Sequence, residues 1–125
     1  MGMNNFEFGE KMKARTKAFA VQIVKFYRAL PKTDDARVLG RQVLRSGTSV
    51  AANYRAVCRA KSQADFISKM GTVVEETDET LLWIELFEEA EVCPAAKIQS
   101  FKQETNELLR VFSSSLGTAR RETTR

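Results

Sequence analysis

The chain has 125 residues, of which 43% are hydrophobic and 29% charged, and a formal net charge of +4 at pH 7. This length suits one domain, 1–125, and leaves little room for a second core. No apolar run reaches the about 20 residues that a membrane span requires, and the charged N-terminal segment is unlike a signal peptide. We therefore expect a cytoplasmic protein with no membrane association.

The cysteine and histidine content limits the chemistry further. Cys58 and Cys93 stand apart without CxxC spacing, and the chain has no histidine. Metal sites and catalytic pairs built from Cys and His are therefore not indicated. We expect two free thiols in a reducing compartment, no metal site and no cofactor.

The first two predicted helices lie on either side of the segment PKTDD. Phe19, Ile23 and Phe26 recur at helical spacing and predict a helix over about 9–30, which Pro31 ends. A second helix is predicted over about 35–59, with Thr33 or Asp34 as its N-terminal cap.

Two further helices follow. Ser62 and Asp65 have the spacing of a capping box before a helix over about 62–92. Pro94 suits the first turn of a helix over about 95–116, which we expect to end at Gly117 and to leave 117–125 as a polar tail. No segment alternates like a strand. We predict an all-α fold, an antiparallel up-down-up-down four-helix bundle.

The stretch LRSGTSVAANYR in the second helix is rich in small residues. It lacks the glycine spacing, the lysine and the preceding strand of a phosphate-binding P-loop. A glycine inside a helix costs about 1 kcal/mol relative to alanine, so a close helix crossing is the better explanation. The residues predicted to allow this crossing are Gly47, Ser49, Ala51 and Asn53.

Charge is unevenly distributed along the chain. Residues 1–61 carry 13 basic and 4 acidic side chains, whereas 62–93 carry 1 basic and 9 acidic. On the second helix five arginines fall within an arc of about 80° that extends roughly 33 Å. They are the predicted nucleic-acid-binding residues: Arg37, Arg41, Arg45, Arg55 and Arg59. Lys11, Lys13, Arg15 and Lys17 offer a second basic surface on the first helix.

These charges allow two interpretations. The arginines can contact a phosphate backbone with little sequence specificity and strong salt dependence. Alternatively, they pair with the acidic side chains of the third helix, within a chain or between subunits, or simply face water. No aromatic residue is interleaved in the arginine stripe, so base stacking is not predicted there.

The segment LLWIELF in the third helix is apolar around almost its whole circumference. A helix of one small bundle cannot bury every side, so a subunit interface is predicted. Leu81 and Ile84 are expected to face the core. The predicted interface residues are Leu82, Trp83, Leu86 and Phe87.

An enzymatic function is not predicted. A carboxylate-bridged di-iron bundle uses Glu-x-x-His pairs, which the chain lacks. Glu75 and Glu79 lie on one helix side, but no nucleophile or phosphate-binding loop accompanies them. A Mg²⁺ site from Glu75, Asp78 and Glu79 is no better supported than a solvated acidic face.

The segments LGRQVLRSGTSVAANYR, FYRALPKTDDARV and SQADFISKMGTVVEETDETLLWIELFEEA together carry a resemblance to a family. They resemble the small four-helix-bundle proteins encoded within intervening sequences of bacterial 23S rRNA genes, and the related accessory variability proteins of diversity-generating retroelements. The resemblance covers about 18–92. The chain departs from the family pattern at Ala51, where proline is common, and at Arg55, Ala56 and Val57, where Ala-Glu-Gly is common.

The resemblance implies a bacterial protein that assembles into a homopentameric barrel. For the retroelement branch it also implies nucleic-acid binding and partnership with a reverse transcriptase. Two functions follow as expectations. The first is a non-enzymatic basic oligomeric scaffold that binds RNA or DNA through the phosphate backbone. The second is a protein-only assembly module without nucleic-acid binding.

Overall fold

The computed structural model describes residues 5–124, which form four helices and no strand. The helices are α1 (Asn5–Arg28), α2 (Asp34–Val57), α3 (Gln63–Glu89) and α4 (Ala95–Thr123). This all-helical architecture is consistent with a four-helix bundle. The predicted number and order of helices are confirmed, and the differences lie at the helix ends.

The core is built from the residues whose spacing predicted the helices. Phe19, Ile23 and Phe26 of α1 are buried. In α4, Ile98, Leu108 and Phe112 are completely buried. The ring of Phe26 contacts Phe87 of α3 and Phe101 of α4 edge to face, with centroid distances of 5.3 and 5.0 Å. One apolar core therefore joins α1, α3 and α4, and Tyr54 of α2 stacks on Phe112 at 5.4 Å.

The ends of neighbouring helices contact each other in a regular order. Cys58, just after α2, contacts Gly9 near the start of α1, whereas Gly40 near the start of α2 approaches Leu30, just after α1. The Nε2 of Gln63 at the start of α3 donates to the carbonyl oxygen of Ala119 near the end of α4 at 3.2 Å. These contacts join α1 to α2 and α3 to α4.

The predicted N-terminal caps are present, one of them in altered form. The hydroxyl of Thr33 accepts from the Ala36 N–H at 3.4 Å, and that of Ser62 accepts from the Asp65 N–H at 3.0 Å. In a capping box the side chain of Asp65 would accept from the N–H of Ser62. It accepts instead from the N–H of Lys61 at 3.0 Å, so the reciprocal bond reaches one residue further back.

The prediction that the last helix ends at Gly117 is wrong, because α4 continues to Thr123. Leu116 and Ala119 are 6% and 4% exposed, so the buried face of α4 extends past the glycine. This burial offsets the cost of about 1 kcal/mol for a helical glycine. The segment 117–123 is therefore part of the bundle.

The end of α3 is set by Glu91, which has a left-handed φ of 54°. The N–H of Val92 donates to the carbonyl oxygen of Phe87 at 3.0 Å, and the N–H of Glu91 donates to that of Glu88 at 3.2 Å. This pair of hydrogen bonds is a Schellman motif, which favours glycine at the left-handed position. The helix therefore ends at Glu89, before the predicted residue 92.

Glu91→Gly is expected to raise the free energy of unfolding by about 1 kcal/mol, because glycine has no Cβ to penalise the left-handed backbone. The matched control is Glu85→Gly, inside α3, which is expected to lower it by about 1 kcal/mol. Urea unfolding at a fixed protein concentration measures both. A loss of stability in both variants would contradict this account of the helix end.

Candidate nucleic-acid interface

The five predicted arginines are all exposed, but they do not form one continuous stripe on α2. Arg37, Arg41, Arg45 and Arg55 lie on the helix. Arg59 does not, because α2 ends at Val57 and Cys58 is its C-terminal cap. The prediction that Arg59 belongs to the helix is therefore wrong, and this side chain projects from the turn before α3.

Two of these arginines form ion pairs within the chain. Arg45 lies against α3, where its guanidinium contacts Glu79 and lies 3.5 Å from Glu76. The same Glu79 carboxylate accepts from the indole N–H of Trp83 at 3.0 Å. Arg37 pairs with Asp34 at 2.9 Å, three residues earlier on α2. Arg45 therefore pairs with acidic side chains of α3 in the same chain.

The other three arginines are available for a ligand. Within residues 5–124, Arg41, Arg55 and Arg59 have no acidic side chain within ion-pair distance. Arg55 and Arg59 lie close to α1, where they help to form a surface groove of about 620 Å³. We call it the α1–α2 groove. Its lining includes Phe6, Lys13, Lys17, Arg55, Cys58 and Arg59.

The α1–α2 groove is strongly basic. Lys13, Lys17, Arg55 and Arg59 contribute four positive charges, and Glu10 is the one acidic residue in its lining. Glu10 pairs with Lys13 at 2.5 Å. The groove therefore combines residues from two separate predicted surfaces, one on α1 and one on α2.

The remaining basic residues of α1 lie elsewhere. Arg15 projects toward α4, where its guanidinium donates to Glu104 at 2.6 and 2.9 Å and to Glu107 at 2.8 Å. The hydrogen bonds that Arg15 donates to Glu104 raise the pKa of Arg15. Arg15 thus holds α1 and α4 together, and Lys11 is exposed outside the groove.

Cys58 forms part of the groove wall. Its Sγ lies 3.9 Å from the carbonyl oxygen of Gly9, to which the thiol donates a weak hydrogen bond. Partial burial raises the pKa of the Cys58 thiol. The group is therefore a protonated thiol at neutral pH, unlike a catalytic thiolate.

The small residues of α2 divide between two sides of the helix. Gly47 is buried, and a Cβ added there would lie 3.1 Å from two carbons of Ile23 on α1. Ser49, Ala51 and Asn53 are partly exposed, and Asn53 donates to the Ser49 carbonyl oxygen at 2.8 Å. The close approach involves α1 of the same chain and rests on Gly47.

Sequence reasoning missed Gly40, which forms a second close approach. A Cβ added there would lie 2.7 Å from Cδ1 of Leu30. Gly40 and Gly47 are seven residues apart, two helical turns, and this spacing is the signal that could have identified it.

The predicted interface residues of α3 lie partly on the exposed face of the helix and partly in the core. Leu82 and Leu86 are 47% and 37% exposed, and Trp83 is partly buried. Phe87 is completely buried against Phe26, so it does not lie on the exposed face of α3 with Leu82 and Leu86. Phe87 follows Ile84 by three residues and therefore lies on the same helix face.

The acidic residues of α3 do not assemble a metal centre. Among residues 5–124, no group of three or more Cys, Asp or Glu side chains is arranged to hold a metal ion. Every buried side-chain nitrogen or oxygen in this part of the chain has a hydrogen-bond partner.

None of the four described helices has an apolar stretch long enough to cross a membrane.

Comparison with known families and structures assigns the chain to a protein family. The family model described as 23S rRNA-intervening sequence protein matches residues 10–114. The chain belongs to this family.

A solved structure agrees with this family assignment. It is of a protein with unknown function from the S23 ribosomal protein family of Bacteroides thetaiotaomicron, 35% identical in sequence. The similarity covers 83% of this chain and 96% of that one, with a TM-score of 0.77. No curated protein matches the chain. The family match covers α2 and α3 completely and most of α1 and α4, and so includes most of the α1–α2 groove.

Proposed function

We propose that this 23S rRNA intervening sequence protein is a non-enzymatic, basic, homo-oligomeric scaffold of the cytoplasm that binds nucleic acid through its phosphate backbone. The observation that carries the proposal is the α1–α2 groove, which is lined by four cationic side chains and only one carboxylate. The structural neighbour has no known function, so the proposal rests on this chain's own residues.

The charges of the groove support phosphate binding because most of them are not neutralised by the protein. Lys17, Arg55 and Arg59 have no ion-pair partner within residues 5–124, and Lys13 shares only Glu10. A phosphate backbone satisfies such cations and releases its own counterions, which makes binding favourable and salt-dependent. Arginine also matches phosphate geometry with two parallel donors. Arg41, which is exposed on α2 and has no ion-pair partner among residues 5–124, adds a further positive charge to this helix.

Self-association belongs to the same proposal. We propose an antiparallel up-down-up-down bundle that assembles with itself, as a pentamer. The order of contacts between helix ends supports the antiparallel arrangement. Leu82 and Leu86 support association, because both are exposed apolar side chains on an acidic helix. The exposed arginines of α2 in another subunit would have the charge opposite to that of α3.

The resemblance to accessory proteins of diversity-generating retroelements extends the proposal to partners. A reverse transcriptase acting on RNA or DNA held by the scaffold is the protein partner that this branch suggests. The chemistry of the groove is suitable because backbone contacts position a nucleic acid without selecting a sequence.

A protein-only assembly module is the second candidate function. It is favoured by the pairing of Arg45 with Glu76 and Glu79, since a predicted nucleic-acid-binding arginine binds acidic side chains of α3 instead. In such a module the remaining exposed arginines would bind acidic side chains of another subunit, and the groove would hold no nucleic acid.

The charge of the groove makes the two functions separable. The variant Lys17→Gln/Arg55→Gln/Arg59→Gln is expected to bind RNA at least about tenfold more weakly, and to lower the slope of log affinity against log salt by about one for each phosphate that is no longer bound. The matched control, Lys25→Gln/Lys32→Gln/Lys97→Gln, removes the same charge from exposed sites outside the groove. Fluorescence anisotropy with labelled RNA and DNA at several salt concentrations measures both.

A thiol footprint locates the bound nucleic acid. Because Cys58 lies in the groove and Cys93 lies outside it, bound RNA is expected to slow alkylation of Cys58 and to leave Cys93 unchanged. Light scattering provides the mass of every variant. An intact oligomer that binds neither RNA nor DNA at low salt would retire this function and leave the protein-only module.

A further inference from the structure

Phe6 stands out among the exposed apolar side chains of the chain. It is 76% exposed, more than any other large hydrophobic residue within 5–124. A single exposed apolar side chain is ordinary on a protein surface. The position of Phe6 is not, because it lines the α1–α2 groove together with the four cations.

The spacing on α1 explains this position. Phe6, Lys13 and Lys17 follow one another by seven and four residues, which places them within an arc of about 40° on one face of the helix. Arg55 and Arg59 complete the groove from the α2 side. The absence of aromatic residues from the arginine stripe therefore does not extend to the groove, where α1 adds an aromatic ring.

We propose that the α1–α2 groove prefers unpaired nucleotides, with one base stacked on Phe6 and the neighbouring phosphates bound by Lys13, Lys17 and Arg55. The inference rests on the proposed function and names the class of nucleic acid that the same site takes. Proteins that bind single strands combine a basic groove with aromatic side chains, because every base has a face that can stack. In a duplex both faces of an internal base are covered by its neighbours.

The side chains of the groove predict a preference for unpaired nucleotides that does not depend on which base is present. Phe6 has no hydrogen-bonding group, so it does not distinguish one base from another, and the lysine and arginine side chains bind phosphate. Stacking on an aromatic side chain is lost when that side chain is replaced by alanine. Phe6→Ala is therefore expected to remove the preference and to leave the backbone contacts.

The test uses three labelled probes at one salt concentration: an unpaired 12-nucleotide RNA, an abasic oligomer with the same number of phosphates, and a 12-base-pair RNA duplex. Wild-type protein is expected to bind the unpaired RNA at least about fivefold more tightly than the abasic oligomer. Phe6→Ala is expected to bring this ratio close to one without lowering the affinity for the abasic oligomer. Phe6→Tyr, which keeps the ring, is expected to retain the ratio.

The matched control is Phe8→Ala. Phe8 is also an exposed phenylalanine of α1 but lies outside the groove, so its loss is expected to leave the ratio unchanged. Light scattering on Phe6→Ala shows whether the assembly persists, and a changed mass would assign Phe6 to a subunit contact and overturn the inference.

The outcomes separate this inference from the proposed function. Equal binding of all three probes, unaffected by Phe6→Ala but weakened by the loss of Lys17, Arg55 and Arg59, would overturn stacking and leave backbone binding. Failure of every probe at low salt would overturn both.

Discussion

Phe87→Ala is expected to lower the free energy of unfolding by about 3–5 kcal/mol, the range for deleting a buried aromatic side chain. Phe87 is completely buried, and its ring contacts Phe26 edge to face. The substitution removes buried apolar surface, leaves a cavity and breaks this aromatic pair. Urea unfolding measures the loss at a fixed protein concentration, since association with other copies adds to the apparent stability.

The matched control is Leu86→Ala, next to Phe87 on α3 but 37% exposed. Its expected effect on unfolding of the subunit is smaller, about 1–2 kcal/mol, because more than a third of the residue is already exposed to water. Leu82→Ser/Leu86→Ser is expected to lower the assembly mass if this face of α3 joins subunits. An equal loss of stability in Phe87→Ala and Leu86→Ala would contradict the division between core and exposed face.

The same segment shows how far periodicity predicts this fold. Four helices were predictable because apolar residues such as Phe19, Ile23 and Phe26 recur at helical spacing between polar positions. In LLWIELF nearly every position is apolar, so hydrophobicity alone does not reveal which face is buried. The spacing from Ile84 was the one signal for the position of Phe87, and the packing of α3 against the other helices places Phe87 inside and Leu86 outside.

The candidate site was less predictable because it joins distant parts of the chain. Arg55 and Arg59 were identified from charge spacing, but the groove also needs Lys13 and Lys17 from α1. Helical periodicity places residues on one helix and says nothing of which faces of two helices become neighbours. The ion-pair partners of Arg45 could not be predicted for the same reason, because pairing with Glu79 depends on how α2 lies against α3.

Gly47→Val is expected to lower the free energy of unfolding by about 1–3 kcal/mol, the usual cost of overpacking a filled core. An added Cβ at this position would lie 3.1 Å from Cγ1 and Cγ2 of Ile23. Ile23 is completely buried and branched at Cβ, so it has little freedom to move aside. The matched control is Gly71→Val in α3, where an added Cβ meets nothing within 4 Å.

Gly71→Val is expected to change the stability by less than about 0.5 kcal/mol, because valine and glycine differ little in helix propensity. A third comparison assigns the cost at Gly47 to its contact with α1. Ile23→Ala alone is expected to lower the stability by about 2–5 kcal/mol through the cavity that it leaves. In that background the valine at position 47 has space, so adding it is expected to be neutral or stabilising. If Gly47→Val were equally harmful with isoleucine and with alanine at position 23, the close approach of α1 and α2 would not be the reason that α2 carries a glycine here.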